Sequence, residues 1–398
     1  MAQKRRVVEE LAVRYFRRRA GAAARPDSRD PIHFLNQEER RELRRIERVA
    51  VARAAAIGAL TSGLGATAAV AALPLLGEDP DQATWVQWTE YLAVTLVAAL
   101  PLVVVELSLI YWNAIDSVHK LAAAAGLPLF LAKAAGEDVV RADGDEDDDE
   151  DEIFAAVLAR AALEIPNPPR PMFGIDPRRE ASRMRILLAT LVYKAKVSLT
   201  KFVAKTLLTR IFGRAALRAW VPFVAVPITA LWDGLVCRRA LREARLRAIG
   251  PSAATELIGF ILSEHPEPSP ALQEALLRAI GTAVVRSRDF HPNLIELLDD
   301  LKKHIGDPSA PELDDSARFI DSLRGLTPAE QRSALQMLCV ACVLDGRVRE
   351  AERQIMARAF AVCGRPPPRL QVLALQRALL SGDALGPAML ASLTPEPR

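Results

Sequence analysis

Two apolar stretches separated by an acidic loop constrain this chain more than any other feature. Residues 54–76, AAAIGALTSGLGATAAVAALPLL, carry no charged side chain. Residues 91–112, YLAVTLVAALPLVVVELSLIYW, carry only Glu106. A helix needs ~20 such residues to cross a bilayer. The loop GEDPDQATWVQWTE between them holds four acidic residues and no Lys or Arg. Trp85, Trp88, Tyr91, Tyr111 and Trp112 stand where side chains with an apolar body and a polar edge settle at a membrane surface. Arg40, Arg41, Arg44, Arg45, Arg48 and Arg53 crowd the approach to the first stretch. Cations next to a span stay on the cytoplasmic side. The pattern therefore predicts a two-pass protein of an inner or plasma membrane with both termini cytoplasmic.

Half the residues are apolar, only 5% are aromatic, and Ala and Leu dominate. Such side chains lose little rotamer freedom in a helix. Strands would call for β-branched and aromatic alternation instead. The expected fold is all-α: a transmembrane helical hairpin plus cytoplasmic helical domains. The net charge of +3 averages over an uneven distribution.

Seven regions follow along the chain. Residues 1–50 form a basic N-terminal helical region with 14 Lys/Arg against eight Asp/Glu. Val7, Leu11 and Tyr15 at helical spacing fit either a membrane-surface helix or an ordinary solvated one. No apolar core of signal-peptide type follows the opening charges. The hairpin occupies 51–113, a juxtamembrane helix 114–142, and an acidic and proline-rich linker 143–177. Nine of the ten residues in DGDEDDDEDE, 143–152, are acidic, which favours a solvated segment; it lacks the alternating ligands of a calcium loop.

Residues 178–250 form a basic, apolar, membrane-associated region. No acidic residue lies between Glu180 and Asp233. Lys194, Lys201, Lys205 and Arg210 alternate with apolar side chains there, as in a helix lying on anionic lipid. Nucleic acid would use the same charges but is disfavoured, because no recognition motif accompanies them. A plain packed helix is the alternative. VPFVAVPITALWDGLVC is broken by Pro222 and Pro227, and reads as a buried helical hairpin, a dip into the interface or a third span. A basic helix ending at Gly250 follows. The pattern P-x-x-A-x-W-D at 227–233 before this helix resembles the membrane-associated EcsC family over about 50 residues, without much of that family's glycine pattern. Residues 251–326 read as a helical bundle or connector.

Inside the hairpin, Ala59 and Gly63 give a small-xxx-small spacing suited to close helix contact within the chain or between copies. Glu106 lies ~9 Å from the cytoplasmic end of its span at ~1.5 Å per residue. An intramembrane carboxylate is costly and calls for a partner. Arg53, an oligomer contact or a carried proton each supply one.

In 327–398, Thr327 and Glu330 predict a reciprocal helix cap. Leu335, Leu338, Cys339 and Cys342 then form one apolar stripe, so the C-x-x-C pair reads as core rather than redox or zinc chemistry. The five histidines show no metal-ligand spacing. Ala341, Leu344, Asp345, Gly346, Val348, Glu352 and Met356 resemble the helical domain of the tellurite-resistance protein TerB. The resemblance covers about residues 327–395, and its specific part is 335–360. It implies an acidic patch proposed to hold a divalent cation such as Ca²⁺, with Asp345 and Glu352 on the matching positions. It also implies a sensing or scaffolding role in stress, defence or membrane systems. Two carboxylates at a helix start also cap backbone N–H groups, and Arg347, Arg349 and Arg353 around them oppose a cation.

The expected function is a membrane-anchored interaction, sensing or scaffolding protein. Membrane lipids and a protein partner are expected, with self-association as a further option. A metal-assisted membrane hydrolase and a subunit of an oligomeric pore or transporter are the alternatives. No nucleophile elbow, Walker loop or zincin motif is present, and no catalytic residue is assigned.

Overall fold

The computed structural model of the 398-residue chain describes residues 13–16, 35–77, 83–125, 158, 161, 175–177, 214–306 and 312–395. The acidic run at 143–152 and Lys194, Lys201, Lys205 and Arg210 lie outside the described residues. So do most of the N-terminal 34 residues and most of the proline-rich segment.

The described elements are helical. In chain order they are α1 Gln37–Ala71, α2 Trp85–Ala124, α3 Arg214–Ser263, α4 Pro270–Ser287, α5 Pro292–Ile305, α6 Ser316–Ser322, α7 Pro328–Val343, α8 Glu350–Val362, α9 Arg369–Ser381 and α10 Pro387–Leu393. Short 3-10 turns lie at Leu73–Leu76 and Leu323–Gly325. The chain forms two compact units. One, here the apolar unit, takes Arg44–Ser117 and Ser182–Leu241; the other, the helical unit, takes the rest. Helices α1, α2 and α3 each contribute residues to both.

In the apolar unit, α1 with its 3-10 extension and α2 are each 40 residues long and apolar enough to cross a membrane. Their large side chains face outward; Val97 is 70% exposed. The polar groups turn inward. Asn113 donates from Nδ2 to the Ala50 carbonyl at 2.9 Å, and Thr61 meets Glu106 at 2.9 Å, so α1 and α2 run antiparallel. Asn113 also reaches Cys237 Sγ at 3.8 Å. Glu106 meets Asp233 on the same helix pair, so α3 runs parallel to α2.

Three expectations about breaks are corrected. No separate juxtamembrane helix starts at 114, because α2 continues to Ala124. The stretch with Pro222 and Pro227 is not a helical hairpin; it is part of the 50-residue α3. Nor does a helix end at Gly250, since α3 passes through Gly250 and Pro251 to Ser263. Proline removes one backbone donor, a local loss that tertiary packing overrides. At Gly250 that packing is visible. A Cβ there would collide with the Asn293 carboxamide, which is fully buried and donates to the carbonyls of Leu246 at 3.1 Å and Leu344 at 2.9 Å.

The helical unit is built around α4 and α7, which pack on each other along their lengths. Ser269 accepts from Leu272 N at 3.2 Å to cap α4, and the Thr327–Glu330 capping box opens α7. One core runs from Leu246 in α3 to Leu393 in α10, so the boundary drawn at 327 passes through its middle. Gly281 lets the 312–314 turn approach α4, because a Cβ there would meet the Leu313 carbonyl. Arg278, buried in α4, donates to Glu312 O at 2.7 Å across the same approach. Cys339 and Cys342 are fully buried, on the core stripe the spacing predicts.

Candidate functional site

The turn between α7 and α8 gathers polar groups from α3, α8 and α9. Gly346 adopts φ +70°, a conformation costly for any residue with a Cβ. Its carbonyl accepts from Arg242 at 3.1 Å and from Gln376 at 2.8 Å, joining α3 and α9 to the turn. Asp345 beside it is buried. One of its oxygens accepts from Arg347 N at 2.8 Å and the other from the Arg349 guanidinium at 2.7 Å. Glu352 is 1% exposed and accepts from Arg349 N at 2.6 Å, capping the start of α8. The structure thus brings Asp345 and Glu352 together around Arg349, and both carboxylates accept bonds from the chain itself.

Electrostatics follow from burial. Loss of solvent, with the Asp345 charge nearby, pushes Glu352 up to about 8. Burial also raises Asp345, against the pull of Arg349. Burial lifts the Cys342 thiol well above the ordinary range, with Glu352 and Asp345 adding to it, which disfavours the thiolate that nucleophilic or redox chemistry would need. Glu352 can therefore exchange a proton near neutral pH, but it does so inside the core.

A second ionic group adjoins this turn. Glu243 in α3 accepts from His291 at 3.0 Å and from Arg247 at 3.1 Å. Burial acts upward on Glu243, but His291 and Arg247 outweigh it and hold the carboxyl down at about 2. His291 also caps α5 through Asn293 N at 3.2 Å. Asp289 lies 3.8 Å from Arg349, linking the two groups. Sequence reasoning named none of Glu243, His291, Asn293 or Arg349 as a site residue. Their one sequence signal is the position of polar side chains on otherwise apolar helix faces.

Between α8 and α9 lies an open groove of about 310 Å³. Val348, Met356, Val372 and the half-exposed Leu373 line it with apolar surface, and Arg369 and the Arg353–Glu350 ion pair, 2.8 Å long, complete the lining. Leu370, at the start of α9, is 78% exposed.

The intramembrane candidates fall in the apolar unit. Ala59 and Gly63 lie on α1, where a Cβ on Gly63 would meet nothing within 4 Å. The glycine in close contact is Gly58, whose missing Cβ leaves room for Asp233. Arg53 is exposed, and Glu106 is matched with Thr61 and Asp233 rather than with it. Among the described residues no group of three or more His, Cys, Asp or Glu is arranged to hold a metal ion. Comparison of the chain with family models, curated proteins and solved structures finds no match.

Proposed function

We propose that this chain is a membrane-anchored interaction protein that holds a helical recruiting unit against the cytoplasmic face of an inner or plasma membrane. The observation that carries the reading is the reversal of polarity in the apolar unit. Large apolar side chains of α2 face outward while Thr61, Asn113 and Asp233 face inward. That arrangement is costly in water and suited to lipid. The arginines at the start of α1 support a cytoplasmic entry.

In this reading the groove between α8 and α9 receives an apolar segment of a protein partner, with an acidic group facing Arg369, since Arg353 is already paired with Glu350 at 2.8 Å. The resemblance to the TerB domain supports a sensing or scaffolding role in stress or defence. A Ca²⁺ ion at Asp345 and Glu352 belongs to the same proposal, and would have to displace Arg349 from both carboxylates. Calorimetric titration with Ca²⁺, compared between the native chain and Glu352→Gln, tests that part. Heat that survives the substitution rules Glu352 out as a ligand.

Two measurements test the main reading. Reconstituted protein should float with lipid vesicles and resist an alkaline wash, and extraction by that wash would remove the anchor. A photo-crosslinker at Leu370 in intact cells should trap a discrete species that Leu373→Glu abolishes. An unchanged crosslink in that variant would remove the groove from recruitment.

A further inference from the structure

The apolar unit buries a carboxylate, Asp233, that the anchoring role does not use. Asp233 is 7% exposed, although its neighbours Leu231 and Trp232 on α3 are 65% and 61% exposed. The helix thus turns its apolar side chains out and its acidic one in. Asp233 packs on Gly58 of α1 and Glu106 of α2 bonds to Thr61, three residues further along α1, so the two carboxyls meet on one face of that helix and interact. Among the described residues the buried Asp233 Oδ2 has no hydrogen-bond partner, and it sits against Gly58 of α1, where a Cβ would collide with it. Glu106 Oε2 is 2.9 Å from Thr61 Oγ1, and that hydroxyl is also 3.0 Å from the Ile57 carbonyl.

No cation compensates this cluster among the described residues. On α1, Gly58 and Thr61 face it, and the nearest charged side chain, Arg53, is exposed. On α2, Glu106 is the one charged residue between Glu90 and Asp116. On α3, the titratable group nearest to Asp233 on the inner face is Cys237, and Arg238 and Arg239 beyond it are exposed. Carboxylates are acceptors when ionised, so two of them can bond to each other only when one carries a proton. Two bare negative charges side by side in an apolar setting are strongly unfavourable.

We propose that Glu106 and Asp233 form a single-proton binding site that joins α3 to the helical hairpin. The bound species is one proton shared between the two carboxyl groups. Thr61 holds Glu106, and Gly58 provides the space for Asp233. The site carries one negative charge in total, and loss of its proton would set α2 and α3 against each other. It rests on the reading of this unit as membrane-embedded, because lipid keeps water from screening the pair.

Infrared spectroscopy of the full-length protein in phosphatidylcholine vesicles tests this directly. Glu352 also retains a proton near neutral pH, so the measurement uses a Glu352→Gln background. One protonated-carboxyl band should remain at pH 7, shift in D₂O, and vanish in both Glu106→Gln and Asp233→Asn. Each amide supplies the remaining carboxylate with a donor, which lets it ionise. Absence of the band from the parent protein overturns the proposal, and so does its persistence in both variants. A band that appears only when Na⁺ and K⁺ are withdrawn would also overturn it, and would identify a metal-cation site instead. Specific isotope labelling of the parent with ¹³C-carboxyl aspartate or glutamate gives a test that needs no variant to fold. Under the proposal, one of the two labels moves the band. Vesicle flotation of the same samples separates failure of this site from failure of the membrane reading.

Discussion

The two units of this protein treat the same side chains in opposite ways. In the helical unit Leu, Ile and Val are enclosed between helices, and the one core reaches from Leu246 to Leu393. In the apolar unit such side chains lie outside, with Val97, Val104 and Leu231 largely exposed. Both units also bury carboxylates, and here the contrast is sharper. Asp345 and Glu352 are surrounded by backbone donors and Arg349. Among the described residues, Asp233 and Glu106 have each other and the Thr61 hydroxyl. Apolar composition alone does not mark the inside of a protein, because burial depends on the solvent. A buried acid likewise has no fixed chemistry; its neighbours decide whether it is a cap, an ion pair or a proton carrier.

Charge placed on the outer faces should separate the units most strongly. Val97→Lys puts a cation near the middle of a span, at ~3 kcal/mol against insertion. The fraction of chain recovered in membranes after alkaline wash should fall steeply. Within the helical unit, an effect of similar size needs a target whose partners are buried, as Arg247 and His291 are. Glu243→Gln leaves His291 and Arg247 without their shared anion and should cost ~3 kcal/mol by denaturant unfolding. The protective effect of Glu243 is full above its ordinary value of 4.5 and is lost as pH falls through about 2. The variant should therefore lose its disadvantage in strong acid.

Glu352 works in the reverse sense. In the folded chain it holds a proton up to about 8, whereas an ordinary glutamic acid releases it near 4.5. The native state binds more protons across that interval, so its contribution is complete below 4.5 and is lost as pH rises through about 8. Glu352→Gln keeps an acceptor for Arg349 N and should stabilise the protein at pH 8, flattening its thermal stability against pH. A smaller loss of ~1 kcal/mol is expected for Thr327→Ala, which removes one side of the α7 cap. Smallest of all is Leu373→Lys, an outward change in the helical unit that should move stability by no more than ~0.5 kcal/mol. Equal effects of Lys at 97 and 373 on membrane recovery would erase the distinction between the units.

Much of this architecture is legible in the sequence because it depends on local pattern. Uninterrupted apolar length marks α1 and α2, and Thr327 with Glu330 marks the start of α7. The 3.6-residue period places Cys339 and Cys342 inside. The continuity of α3 was not legible. Pro222, Pro227 and Gly250–Pro251 are local breakers, and only packing such as Asn293 against Gly250 shows why a helix persists. The site was legible in part. Asp345, Gly346 and Glu352 are close in sequence, and their turn could be read from spacing. Their partners Arg242 and Gln376 come from helices distant along the chain. The same limit hid the meeting of Glu106 with Asp233. The sequence shows an acid within an apolar stretch, but not which helix lies opposite.

The most direct test of the hairpin account is cysteine accessibility in intact cells with a membrane-impermeant maleimide. Cys237, Cys339 and Cys342 are buried, so a Cys363→Ser background suffices. Probes go at Glu38, Thr84 and Ser392, all exposed. The account predicts labelling of Thr84→Cys from outside, and of Glu38→Cys and Ser392→Cys only after permeabilisation. External labelling of Ser392→Cys, or protection of Thr84→Cys, would contradict a hairpin that keeps the helical unit in the cytoplasm.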